Sequence, residues 1–217
     1  MKTQKFVFYL CLMAWVISEL GCARTVTPLI SSGEQMSVEV TLSGTLESSA
    51  NRYFLVLSDN STFKIPYFYN LDLTTPEFIE PGMTPQQGTA IDYYIKYYST
   101  WAGYVVLDRN QFFSVRGPFI YGQAASREVI SNLSSPETKI KFTFRLSRIF
   151  NIVPDTIYFD FITVPWPDGA VKIPADHINS TDAYISKATG SIKSVDDILD
   201  PGLDPALDII NCRVEIQ

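Results

Sequence analysis

Histidine and cysteine are nearly missing from this chain. One histidine, His177, and three cysteines stand among 217 residues. A histidine-based zinc site needs three or four nitrogen and sulfur ligands, and that supply does not reach it. There is also no G-x-S-x-G elbow, no glycine-rich phosphate loop and no paired CxxC. The commonest marks of serine hydrolases, nucleotide-binding enzymes and thiol oxidoreductases are therefore absent. No apolar run reaches the roughly 20 residues that a spanning helix needs. Positive charge is scarce too: 17 Lys and Arg face 23 Asp and Glu, a net of −6. Nucleic-acid binding requires clustered Lys and Arg, so that class is excluded. His177 lies in the polar stretch IPADHINST. It reads as a solvated surface residue rather than the base of a Ser–His–Asp site with Asp176 or a distant carboxylate.

What is present begins with an address. Lys2 and Lys5 precede an uncharged run, Phe6 to Ile17 (FVFYLCLMAWVI), which Glu19 follows closely. A positive n-region and a short apolar h-region are the parts of an export signal. The run is too short to span a bilayer, and no polar helical face interrupts it. Residues 1–21 are thus expected to leave. Removing them takes away Lys2, Lys5 and Glu19 and leaves 196 residues with a net charge of −7.

The signal ends in SELGC, residues 18 to 22. Leu20-Gly21-Cys22 resembles the lipobox of bacterial lipoproteins, in which the cysteine becomes the first mature residue and carries acyl chains such as palmitate. Gly21 and Cys22 match the pattern; its upstream aliphatic position is held here by Glu19, with Leu20 one place later. The resemblance implies a lipid anchor on Cys22 and residence in the cell envelope. Ala23 fits onward sorting to the outer membrane. Two or three acyl chains hold a protein firmly in a bilayer. Ordinary cleavage is the rival, which leaves Cys22 a free thiol or a disulfide partner of Cys212. Cys11 leaves with the signal, and Cys212 falls on the apolar face of IINCRVEI as a small buried thiol.

Residues 22–36 lack periodicity and read as a tether. From residue 37 to 217 strand signals follow one another without a convincing amphipathic helix. SVEVTLSG and RYFLVLSD look like a hairpin across SSAN, and SDNS turns the chain into a further strand, TFKIPYF. IDYYIKYYS, GYVVLD and QFFSVRG come next, while residues 117–137 read as irregular. TKIKFTFRL alternates most cleanly, with Ile140, Phe142, Phe144 and Leu146 inward, and TIYFDFITV looks like its pairing partner. A polar segment from Pro165 to Asp208 precedes IINCRVEI, which is expected to pair with an early strand and hide an edge. The sum is an all-β, antiparallel two-sheet β-sandwich of about nine strands.

Two constellations could carry chemistry. Asp196, Asp197, Asp200, Asp204 and Asp208 crowd into DDILDPGLDPALD, and oxygen ligands on a turn-rich loop suit Ca2+. The alternative is that these carboxylates face water. Aromatics crowd between Tyr67 and Tyr104, and in IDYYIKYYS they fall on both faces of a strand. Tyr97, Tyr98, Trp101 and Trp166 are accordingly expected at a ligand-binding surface, the two tryptophans in turns and Trp166 rigid between Pro165 and Pro167. Aromatic faces stack on sugar rings and peptide groups. The competing role is to fill layers of the sandwich.

The strands, aromatics and acidic loop together are similar, in architecture alone, to sandwich-type carbohydrate-binding modules on bacterial surface proteins. The expected partners are a glycan or an envelope protein, beside the membrane that the lipobox resemblance implies, and no cofactor is expected apart from that calcium. A carboxylate-dependent envelope hydrolase using Asp160 and Asp168 is the alternative, if two carboxylates face each other across a pocket.

Mass spectrometry of the mature N-terminus tests the address directly. Acyl chains on Cys22 are expected, and Cys22→Ala protein is expected to leave the membrane fraction on a salt wash. Retention of that variant would refute the anchor.

Overall fold

The computed structural model describes residues 33–68, 74–134, 138–178 and 180–217. Cys22 and the expected signal lie outside the described residues. All described residues belong to one compact unit, Ser31–Gln217. It is all-β, with eleven strands in two antiparallel sheets and one short helix.

The strands are β1 (Gln35–Leu42), β2 (Asn51–Ser58), β3 (Gly103–Asp108), β4 (Gln111–Arg116), β5 (Arg127–Asn132) and β6 (Lys139–Arg145). They continue with β7 (Thr156–Pro165), β8 (Asp176–His177), β9 (Tyr184–Ser186), β10 (Ile192–Asp196) and β11 (Ile209–Ile216). One sheet runs β10-β11-β1-β6; the other runs β5-β4-β3-β2-β7-β8, with β9 also on β7. The last strand does pair with the first, Val38 opposite Val214 and Val40 opposite Cys212. Cys212 is a free thiol with no exposure, and burial pushes its pKa up.

Alternation builds the interior between the sheets. β6 buries Ile140, Phe142 and Phe144 and exposes Lys139, Lys141, Thr143 and Arg145. Phe142 crosses the gap to stack on Phe112 of β4, ring centroids 4.7 Å apart. Tyr53, Leu55 and Leu57 of β2 and Phe159 and Phe161 of β7 complete that core from the opposite sheet.

The larger sheet has a second core on its other face. Phe54 and Val56 of β2, Tyr104 and Val106 of β3, and Ile162 and Val164 of β7 point away from the sandwich interior, yet are buried. Helix α1 (Ala90–Lys96) covers them, together with Phe78 and Ile79 from the preceding loop. A strand buried on both faces reads as a continuous apolar run, which β2 does.

Three expectations need correction. SVEVTLSG and RYFLVLSD are not a hairpin, because β1 and β2 lie in different sheets. β6 and β7 are likewise divided between the sheets rather than paired. IDYYIKYYS is not a strand but α1 running into a 3-10 turn over Tyr98–Thr100. Tyr93/Tyr97 and Tyr94/Tyr98 are i, i+4 pairs, which a helix puts on one face. Their rings meet at 4.8 and 4.9 Å. In addition TFKIPYF, expected as a strand, is not one either, while β5, β8, β9 and β10 form within segments read as irregular or polar, so two strands lost and four gained turn nine into eleven.

Phe144 is 3% exposed and also lies 6.0 Å from Phe142, ring to ring. Phe144→Ala is expected to cost about 3–5 kcal/mol in urea unfolding through lost packing. A loss below about 1 kcal/mol would contradict this packing.

Candidate functional site

The outer face of the larger sheet carries a charge cluster beside its aromatic core. Arg52 of β2 stands opposite Asp108 of β3 in register, and its Nη2 lies 3.0 Å from the Asp108 carboxylate. Arg127 at the start of β5 reaches the same carboxylate at 2.8 Å. Both guanidinium groups also bind Glu80, which the cover loop brings down onto the sheet. Tyr104 donates its hydroxyl to the other Glu80 oxygen at 3.2 Å. Glu80 is buried, but three donors satisfy it, the condition under which a buried charge is tolerated. Burial, reinforced by the Glu80 charge, raises the Tyr104 pKa and keeps the phenol protonated as a donor.

Trp166 closes this cluster. Its backbone N–H donates to the Ala50 carbonyl at 2.9 Å, fixing the VPWPDG turn to the start of β2. The Arg52 guanidinium carbon lies 4.0 Å from the indole centroid, a cation–π stack. Phe54 backs the ring at 5.9 Å. The half-buried indole lines an open cleft of about 500 Å3 between the Ser48–Arg52 segment, the β3–β4 hairpin and Asp168. A second cleft of about 620 Å3 lies along the same hairpin and runs to Asn132 and Ser134. Asp108 and Arg109 line both.

Of the four aromatics expected at a surface, the structure leaves only Trp166 accessible. Trp101 (5%), Tyr97 (3%) and Tyr98 (2%) belong to the second core, which corrects their expected placement. The STWAGY turn folds back onto the sheet, where the Trp101 indole N–H donates to the Lys64 carbonyl at 2.7 Å. Tyr98 donates to the Ile79 carbonyl and so ties the 3-10 turn to the cover loop. Polar tips satisfied by backbone let large aromatic bodies be buried at little cost.

The acidic segment is also used internally. Asp197, Asp200 and Asp204 accept the backbone N–H groups of Ile198 (2.8 Å), Gly202 (2.8 Å) and Ala206 (3.0 Å). Asp196 accepts from the Asn211 amide at 2.6 Å, and buried Asp208 accepts the Asp200 N–H at 3.2 Å. Aspartates of this kind stabilise turns through their own side chains. Among the described residues no group of three or more His, Cys, Asp or Glu is arranged to hold a metal ion.

His177 is not solvated. It lies on β8 with its side chain 14% exposed, Nδ1 3.1 Å from Asp160 of β7 and Tyr67 against its ring at 4.4 Å. Burial opposes its charge, but the Asp160 hydrogen bond and charge outweigh that, and the pKa is raised above 6.5. Asp160 also accepts the Ile178 N–H at 3.1 Å. It lines neither cleft, whereas Asp168 stands at the rim of one. The two carboxylates expected to face each other share no cleft.

No family model, no curated protein and no solved structure matches the chain. Among the described residues no helix is long and apolar enough to cross a membrane.

Asp176 supplies a pH dependence. Burial, helped by the nearby charges of Asp197 and Asp208, raises its pKa from 3.8 to about 6, against the Ile209 N–H bond. A raised pKa means that the folded state holds the proton more tightly. The stability it contributes is complete below pH 3.8 and lost as pH climbs to about 6. Discounted for the group's partial exposure, the loss is about 1–2 kcal/mol. Urea midpoints measured from pH 3.5 to 7 should fall more steeply for the natural chain than for Asp176→Asn. Parallel curves would contradict this assignment.

Proposed function

We propose that the chain is an envelope lipoprotein, anchored through Cys22 and sorted to the outer membrane, whose β-sandwich binds an extended polar ligand beside Trp166. The role is binding rather than catalysis. The observation that carries the reading is the state of Trp166: half-buried, fixed by backbone and two prolines, and lining an open cleft. Trp166 also packs on the second core, against Phe54 and Phe78, but unlike Trp101 it keeps part of its ring at the cleft.

The cleft suits a glycan. Part of the indole offers apolar surface, Ser48, Ser49 and Asn51 offer hydroxyl and amide groups, and Arg52 is held in place by Trp166 and Asp108. Sugars combine apolar ring faces with a rim of hydroxyls, and such a mixed surface meets both. Groups already held by their neighbours lose little freedom on binding. An extended peptide is the other ligand with this mix of features. An anchored module of this kind would tether the envelope to whatever polymer fills the cleft.

Fluorescence tests the reading. Trp15 lies in the expected signal, so mature protein carrying Trp101→Phe reports from Trp166 alone. Its emission is expected to be quenched by iodide and protected by a bound oligosaccharide or peptide. Trp166→Ala should weaken binding at least tenfold. Emission indifferent to neutral glycans, acidic glycans and extended peptides alike would overturn the proposal.

A further inference from the structure

The shared wall of the two clefts is the β3–β4 turn, and its first residue is unusual. Arg109 has φ 57°, in the left-handed region that favours glycine and, less strongly, asparagine. Its neighbour Asn110 has no such φ, so the turn places an arginine at its costlier position. Arg109 is exposed, and its guanidinium makes no ion pair or hydrogen bond to any described residue. Arg52 and Arg127, by contrast, are both held by Glu80 and Asp108. A strained, unpartnered cation between two clefts is a group kept for something outside the chain.

We propose that the paired clefts bind an acidic oligosaccharide and that Arg109 holds a sugar carboxylate. This rests on the cleft beside Trp166 being the binding site. The planar guanidinium fork matches a carboxylate with two parallel hydrogen bonds. Asp108 does not oppose the anion, because Arg52 and Arg127 already compensate it at 3.0 and 2.8 Å. In the second cleft Arg109 is therefore the one uncompensated charge among the lining residues. Asn110 is oriented there by Ser48, 3.1 Å away, and Gln111 by Asn132, also at 3.1 Å, giving amides for neighbouring hydroxyls. At the Trp166 end two charges stand without ion pairs to any described residue: Asp168, which is exposed at the rim, and Lys172, whose Nζ lies 5.4 Å from the indole centroid. With one charge of each sign there is no net attraction for an anion, which leaves Trp166 to an uncharged sugar face. The ligand is thus read in one direction, acid at Arg109 and neutral ring at Trp166.

With a net charge of −6 the chain repels a polyanion at long range. Recognition is therefore short-range, and a short oligomer is the fitting probe. Titration calorimetry of the purified protein would compare trigalacturonate with its methyl ester, which keeps the rings and loses the charges. Trigalacturonate is expected to bind at least tenfold more tightly. Arg109→Gln should reduce it to about the level of the ester. Arg109→Gly should lose the same discrimination while raising Tm, because glycine adopts this φ without strain. Trp166→Ala should weaken both ligands.

Equal affinity for acid and ester, or full discrimination retained in Arg109→Gln, overturns the proposal. In those cases loss of binding in Trp166→Ala still supports the cleft as the site. Trigalacturonate binding untouched by Trp166→Ala places the site elsewhere and overturns both readings. Failure of both sugars to bind overturns the acidic-sugar proposal and leaves peptide as the ligand to be tested.

Discussion

A buried carboxylate, Glu80, holds the outer layer of this protein to its sheet. The larger sheet is apolar on both faces, so one face is covered by the smaller sheet and the other needs a separate cover. That cover is a loop and a seven-residue helix, too short to be stable alone. Its attachment is polar at one side and aromatic at the other. Glu80 reaches down to Arg52, Arg127 and Tyr104, while Phe78, Tyr93, Tyr98 and Trp101 interlock over β2 and β3. Each half makes the other possible: the rings exclude water from the ion pairs, and the ion pairs fix the loop that carries Phe78 and Ile79.

The same cluster shapes the rim where Trp166 sits. Arg52 is shared between Glu80, Asp108 and the indole, so the floor of the cleft is rigid because the cover is attached. Folding and the proposed recognition therefore use one set of groups. The exposed residues at the rim, Arg109 and Asp168, are the ones that folding leaves uncommitted.

Local patterns were legible in the sequence where one face is wet. TKIKFTFRL announces β6 because its charged residues alternate with apolar ones, and IINCRVEI announces β11 in the same way. Sheet membership was legible only in the pairing of the last strand with an early one; that β1 and β2, and β6 and β7, divide between sheets was not, since it depends on partners far along the chain. IDYYIKYYS misleads because apolar residues surround it: its tyrosines have helical spacing, but Ile91 and Ile95 lie exposed on the other side. Trp166 was marked by its two prolines. The Arg52–Glu80–Asp108–Arg127 cluster carried no sequence signal, because its members come from four separate segments. His177 was misplaced for a related reason, as nothing in IPADHINST reveals Asp160 across the strand pair.

The position of β1 has a mechanical consequence. It is the first strand of the sandwich, yet it is not an edge: β11 holds it on one side and β6 on the other. Its ladder with β6 runs from Gln35 to Thr41, and its ladder with β11 covers nearly the same residues. Tension entering from the N-terminal side must break two hydrogen-bonded ladders together before β1 can be drawn out. An edge strand would peel away one bond at a time. The entry point of such a force is thus clamped in the middle of its sheet, an arrangement that suits the proposed anchoring through Cys22.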